Sequence, residues 1–427
     1  MPDSQPYPSS PRPSGSPGRP DSTLLLCGAR LTDGRTVDVR LSRGRIEAVG
    51  TAGSLAPAPA GRTGPARADA GPARLDLGGH LLLPAPAEPH AHADTALSAE
   101  HAGPASYAPE DVRRRATEAA LLQLGHGATA LRAHVRIGDV QGLGALEAVL
   151  QARRSLRGLA ELTAVAMPRV LTGVAGADGL AMLRDAVKMG AAVVGGCPDL
   201  DPDPAGYVEA LLDVASEHGC PVDLHTDAAD PARLSRLAAT AGGLRQGVSV
   251  GPCAGLAALS EAATGRLADR LAAAGISVVC LPQGGCAGTD RRGTPPVRLL
   301  RAAGVRVAAG SGALRDLANP VGRGDPLEAA YLLASAHGLR PEEAYETVST
   351  SAREALGLPE VRVEAGFPAE LLAVRGDDLA GALSLAYSRI VIHQGRVVAR
   401  TSAVREFCGA AGSAEAGLPR QGRAGPE

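Results

Sequence analysis

An α/β fold with a (β/α)8 barrel at its centre is what the sequence predicts, and three observations predict it. Eight short apolar runs occur between residues 81 and 312, each set off from the next by an amphipathic stretch. Strand alternating with helix in this way argues for a parallel sheet with helical crossovers. The first run lacks the glycine-rich phosphate loop expected of an open doubly wound sheet, which leaves the closed barrel as the better reading.

Taken in order, residues 23–50 come first: TLLLCGARLTDGRTVDVRLSRGRIEAVG reads as three short strands broken by turns at Asp33-Gly34 and Arg43-Gly44. A loop rich in Pro, Ala and Gly runs to about residue 73, followed by the strand RLDLGGHLLL. The eight barrel runs are LLLPAPAEPH (81–90), GATALRAHV (127–135), ELTAVAMP (161–168), GAAVVGGCP (190–198), PVDLHTD (221–227), GVSVGPC (247–253), ISVVCLP (276–282) and VRVAAGSG (305–312). Between them lie stretches such as PEDVRRRATEAALLQLG, where Pro109 suits a first helical turn. LLAV (371–374) and SRIVIHQGRVVAR (388–400) return to strand character, so small antiparallel segments stand at both ends. Residues 1–20 and 403–427 are Pro-, Ser-, Gly- and Ala-rich without periodicity and read as disordered tails.

Composition narrows the function. The chain has 427 residues, 45% of them hydrophobic, but only 2% are aromatic and none is Trp, so the core must be Leu, Val and Ala. Its 43 basic and 45 acidic residues nearly cancel, and the arginines are scattered. That argues against nucleic acid and anionic membrane surfaces as partners. The first twenty residues contain no apolar stretch of a secretory signal. No run is long enough to span a membrane. Seven dispersed cysteines without a C-x-x-C pair suit a reduced, cytoplasmic protein.

In a (β/α)8 barrel the reacting groups stand where the strands end. The first run offers Glu88, His90, His92 and Asp94, and the second Arg132 and His134. The third offers Arg169, and the fifth His225, Asp227 and Asp230. Cys197, Cys253 and Cys280 end the fourth, sixth and seventh, and the eighth ends in Ser311-Gly312. Three imidazoles converging on one barrel mouth would form half of a metal shell. His90, His92 and His225 are therefore the expected metal ligands. His80, His101, His126, His218, His337 and His393 read as surface or packing residues.

EPHAHADTA, ALRAHV, AVAMP, VDLHTD, RRGTPPVRLL and the closing GRVVA together resemble the cytosine deaminase branch of the amidohydrolase superfamily. The likeness runs from about residue 23 to 400. It implies that residues 21–82 and 360–402 form a small β-sandwich beside a barrel of residues 83–359. It also implies one divalent metal, zinc or iron, held by the His-x-His, the histidine after strand five and an aspartate after strand eight. The family chemistry is metal-dependent hydrolysis of C–N bonds in cyclic amidines and amides, in which the metal lowers the pKa of a bound water. A glutamate shortly after the strand-five histidine moves the protons.

Position by position the match is partial. His90, His92 and His225 stand where the resemblance places metal ligands. The proton-carrying glutamate of the family falls on Ala228, the strand-six histidine on Pro252, and the strand-eight aspartate on Gly312. The glutamine that reads the pyrimidine edge falls on Arg169, and the usual Arg-x-His-Val-Asp is Arg132-Ala-His134-Val-Arg136. His134, Arg169 and Asp227 are assigned to binding a ligand. Asp227 alternates with His225 and could also orient its ring. Cys253 reads as a buried, inert thiol, and Asp316 as a solvated loop residue or helix cap. No catalytic residue is assigned. Two readings stay open: a non-catalytic descendant kept as a small-ligand binding (a cyclic amide or amidine, or an anion) or assembly module, and a metal-dependent hydrolase with a rebuilt site. Whether the chain forms a homo-oligomer is left open.

Overall fold

The computed structural model describes residues 23–55, 73–100, 105–244, 246–284, 293–385 and 388–403. The expected tails, the 56–72 loop and His101 lie outside the described residues. The chain begins with β1 (Leu24–Arg30), β2 (Thr36–Ser42), β3 (Arg45–Thr51), β4 (Ala73–Asp76) and β5 (His80–Pro84). The turn between β2 and β3 is Arg43-Gly44, both with positive φ (51° and 73°), which glycine adopts without steric cost.

Eight strand–helix units follow. They are β6 (Ala87–Ala91) with α1 (Pro109–Gly125), β7 (Ala130–Ile137) with α2 (Gly144–Ser155), β8 (Glu161–Pro168) with α3 (Gly173–Met189), and β9 (Val193–Gly196) with α4 (Pro204–His218). Then come β10 (Val222–Thr226) with α5 (Pro231–Ala241), β11 (Val248–Pro252) with α6 (Glu261–Ala273), β12 (Ser277–Cys280) with α7 (Val297–Ala302), and β13 (Val307–Ala309) with α8 (Pro326–His337). Pro109 opens α1 as expected, at a position whose N–H has no intrahelical partner. Two short helices, α9 (Pro341–Val348) and α10 (Thr350–Ala355), lead to β14 (Leu371–Arg375), α11 (Leu379–Leu385), β15 (Arg389–His393) and β16 (Arg396–Thr401).

Strands β6 to β13 pair in chain order as one parallel sheet. Ala91 and Gly312 form a parallel bridge that brings its two ends together. The Glu88 carboxylate reinforces that seam, accepting the Ser311 N–H at 3.0 Å and the Ser311 hydroxyl at 2.5 Å. Gly310 leaves room for it, since a Cβ there would stand 2.7 Å from Glu88 Oε1. The core is Leu, Val and Ala, as the composition required, with Tyr207 and Tyr345 buried in it and each donating its hydroxyl to a backbone carbonyl.

The strands from the two chain ends join in one continuous mixed sheet, in the order β16-β15-β14-β5-β1-β2-β3, with β4 beside β1. The expected sandwich is thus a single hydrogen-bonded sheet, continuous through the Arg30–Leu81 pair, and it has its own apolar core of Leu26, Val39, Leu371 and Ile392 among others. No helix among the described residues is long and apolar enough to cross a membrane.

Sheet and barrel are locked by an ion pair. Arg389 of β15 holds both oxygens of Asp325, the N-cap of α8, at 2.8 and 2.7 Å, and donates to the His126 carbonyl at 2.6 Å. Both side chains are largely buried, so removing one strands the other's charge. Arg389→Ala is expected to cost about 3–5 kcal/mol, measured by urea unfolding. A paired Arg389→Met, Asp325→Leu variant should recover much of that loss.

Candidate metal centre

Side chains on a strand alternate faces, so β6, β7 and β10 each send residues two apart into the barrel. From β7 these are Arg132 and His134, and from β10 Asp223 and His225; all four are buried. In β6 the register against β7 slips by one residue between Glu88 and Ala91. Such a bulge re-aims the side chains around it. Beyond it Glu88, His90 and His92 are all buried, with Glu88 Oε1 accepting the His90 N–H at 2.9 Å.

The four imidazoles of His90, His92, His134 and His225 form one cluster. The ring centres of His90 and His225 are 4.2 Å apart, those of His90 and His134 4.3 Å, and those of His134 and His225 4.6 Å. His92 lies 5.0, 5.2 and 5.7 Å from His225, His90 and His134. Its Nε2 approaches His225 Nε2 to 3.2 Å. His90, His134 and His225 each offer a ligand nitrogen within 4.8 Å of the others, the one such group of three or more among the described residues.

Burial and mutual repulsion keep His90, His92 and His225 neutral. Burial first, and then the neighbouring imidazoles, hold His90 and His225 well below the ordinary histidine range. Burial, with His134 and Arg136 nearby, pushes His92 down to about 3. Neutral imidazole is the form that binds a metal. Neither His134 Nδ1 nor His225 Nδ1 has a hydrogen-bond partner among the described residues, which is costly for a buried polar atom unless something else engages it. The donor set therefore fits a divalent ion of borderline softness such as zinc or iron.

Two buried carboxylates support the rings. Asp223 accepts from Arg132 Nη1 at 2.8 Å, and its Oδ1 lies 3.3 Å from His134 Nε2, within ion-pair reach but without hydrogen-bond geometry. Burial pushes the Asp223 carboxyl up, but His134 and Arg132 outweigh it and leave it below its ordinary value. Burial raises Glu88 to about 7 against its bonds from Ser311 and the His90 backbone.

Of the expected ligands His90 and His225 meet closely, with His134, assigned from sequence to ligand binding, as the third of the group, while His92 stands beside His225 and outside that group. Arg169 lies exposed just past β8. Asp227 accepts the Gly255 N–H at 3.1 Å, and its own N–H donates to Asp199. Asp230 caps α5. Asp316 is buried rather than solvated and caps no helix: it accepts from Thr95 Oγ1 at 2.8 Å and from the Ala318 and Asn319 N–H groups of a tight turn. Cys253 is fully buried, and burial raises its thiol, as expected of an inert residue. Ala228 and Gly312 take positive φ (56° and 68°), and Ala228 and Pro252 are buried. Sequence reasoning passed over Asp223, although its position two residues before His225 on the same strand was the available signal.

The profile of the Amidohydrolase family matches residues 100–399. The chain belongs to this family. Among curated proteins it is 30% identical to the pterin deaminase of Rhizobium rhizogenes over 316 residues, which is 70% of this chain and 72% of that one. It is 28% identical to the uncharacterized protein YahJ of Escherichia coli over 361 residues, 76% of this chain and 73% of that one. Among solved structures, N-isopropylammelide isopropylaminohydrolase from Burkholderia multivorans superposes with a TM-score of 0.77 at 26% identity, over 90% of this chain and all of that one. The 5-methylcytosine deaminase of Klebsiella pneumoniae shares the fold, with a TM-score of 0.74 at 24% identity over 90% and 99%. Within this cytosine-deaminase-like branch, the cluster has three mutually close histidine ligands and no carboxylate, fewer than the family's full set.

The neutral rings set a pH dependence. The unfolded chain takes up protons on His90, His92 and His225 below about pH 6.5, the ordinary histidine value, where the folded chain does not. Stability therefore falls as pH drops, by up to about 1.4 kcal/mol per pH unit for each ring. Glu88 acts oppositely between 4.5 and about 7, where the folded state keeps its proton, but it is one group against three. Chelator-treated protein should melt at a lower temperature at pH 5 than at pH 6.5, and the drop should shrink in His92→Asn.

Proposed function

We propose that this member of the amidohydrolase family holds one divalent metal and binds a small ligand at the barrel mouth, and has lost the hydrolytic chemistry of its relatives. One observation carries the reading. At the three strand ends where the resemblance places the proton carrier, the histidine facing the water and the fourth ligand, the chain has Ala228, Pro252 and Gly312. None of these side chains takes a proton or binds a metal. Losing one such group commonly costs about 10²–10⁴ in rate, and groups acting as a unit do not contribute additively.

The carboxylates on the cluster's own strands do not replace them. Glu88 is taken up by Ser311 and the His90 backbone, and Asp223 by Arg132. When bound, the metal would supply a positive centre that ties the strands bearing the rings together. The chain's part is to hold the rings neutral, orient them through Asp223 and Glu88, and present Arg136 and Arg169 near the mouth. Relatives and structural neighbours are named for acting on pterin, 5-methylcytosine and N-isopropylammelide, all nitrogen heterocycles. The ligand class this supports is a planar cyclic amide or amidine, or an anion of similar shape. A metal-dependent hydrolase with a rebuilt site is the competing reading, and it needs a proton carrier other than the alanine at 228.

Metal analysis of purified protein, alongside ammonia release from pterins, cytosines and aminotriazines, tests the proposal. One equivalent of metal without ammonia release is expected. Turnover that His225→Ala abolishes would establish the rebuilt hydrolase instead. Restoring the three groups together, as Ala228→Glu, Pro252→His and Gly312→Asp, should bring ammonia release above background when combined with His134→Ala, which clears the cluster for water. Aspartate tolerates the left-handed backbone at 312 better than most residues.

A further inference from the structure

We infer that His134 is a fourth nitrogen donor of this metal centre, so that His90, His92, His134 and His225 enclose the ion and leave no position for water. The inference rests on the metal-holding reading and adds the coordination number.

Geometry is the first argument. Four points whose six separations all fall between 4.2 and 5.7 Å are the corners of a compact, slightly distorted tetrahedron. For imidazoles directed at one ion with metal–nitrogen bonds of about 2.0–2.1 Å, a regular tetrahedron has ring centres about 5 Å apart and neighbouring nitrogens about 3.3 Å apart. The His92 and His225 Nε2 atoms are 3.2 Å apart. His134 belongs with His90 and His225 to the group whose ligand atoms are mutually within 4.8 Å, and His92, outside that group, joins it through His225.

The surroundings of His134 are those of a ligand. The ring is buried and its Nδ1 has no hydrogen-bond partner among the described residues. Asp223, fixed by Arg132, stands 3.3 Å from its other nitrogen. A carboxylate behind a metal-bound imidazole sets its tautomer and raises its basicity. Structural metal sites are four-coordinate and closed, whereas catalytic ones keep a position open for water. Here the groups that would have served that water are absent at Ala228, Pro252 and Gly312, and an imidazole from β7 stands in the cluster instead. The ion would then act as a clamp joining β6, β7 and β10.

Cobalt(II) loaded into the full-length protein reports coordination directly, without reference to turnover. X-ray absorption of the wild-type cobalt protein should give a first shell of four nitrogens, with the intense visible bands of a tetrahedral ion. In His134→Ala those bands should weaken several-fold as water enters, and cobalt affinity should fall by about 10-fold or more. A wild-type shell of three nitrogens with oxygen would overturn the inference while leaving metal binding intact. So would a His134→Ala spectrum identical to wild type. Failure of the wild-type protein to bind cobalt or zinc would overturn the metal-holding reading as well. The wild-type spectrum decides the matter even if the variant does not fold.

Discussion

Four imidazoles with ring centres no more than 5.7 Å apart, shut inside a barrel, cannot share that space as cations. Coulomb repulsion between such rings is severe where water is excluded, and burial already disfavours each charge. The site depends on this constraint. It keeps His90, His92 and His225 in the neutral form that binds a metal, while the His134 and His225 Nδ1 atoms lie buried without a hydrogen-bond partner among the described residues. It also explains the company the rings keep. Arg132 and Asp223 form a nearly self-cancelling pair beside them, and burial raises Glu88 to about 7.

The same residues that set the site also hold the fold together. Glu88 ties the first barrel strand to Ser311 just beyond the last and fixes the His90 backbone in the same contact. A change at Glu88 would therefore disturb closure and ligand placement together. The Asp325–Arg389 pair anchors the terminal sheet on the opposite chemistry, a buried charge fully matched by its partner. The structure thus has one charged lock between sheet and barrel, which fails when a single partner is removed, and one cluster of imidazoles at the mouth.

Much of the barrel was legible because strand and helix periodicities differ and the eight alternations are regular. The His90-x-His92 spacing gave away the first half of the site for the same reason, since residues two apart share a strand face. His225 was found by the pattern around it. His134 was singled out for ligand binding; its place among the rings depends on β7 lying beside β6, which no local pattern encodes. Asp223 was missed since a polar residue inside VDLHT reads as a strand interruption until Arg132, 91 positions earlier in the chain, is seen to pair with it. Asp316 looked like a loop residue because its partners, Thr95 above all, are remote in sequence. The continuity of the terminal sheet was likewise hidden, since it depends on a single strand pair between Arg30 and Leu81.

The account stands on a metal held by rings in a site stripped of hydrolytic groups. A crystal structure of the zinc-loaded protein, with the ion located by anomalous scattering at the zinc edge, tests it most directly. The account predicts one strong peak among His90, His92, His134 and His225, with no water or hydroxide within bonding distance of it. A peak elsewhere, or a zinc ion at the mouth carrying a bound water beside a carboxylate, would contradict it.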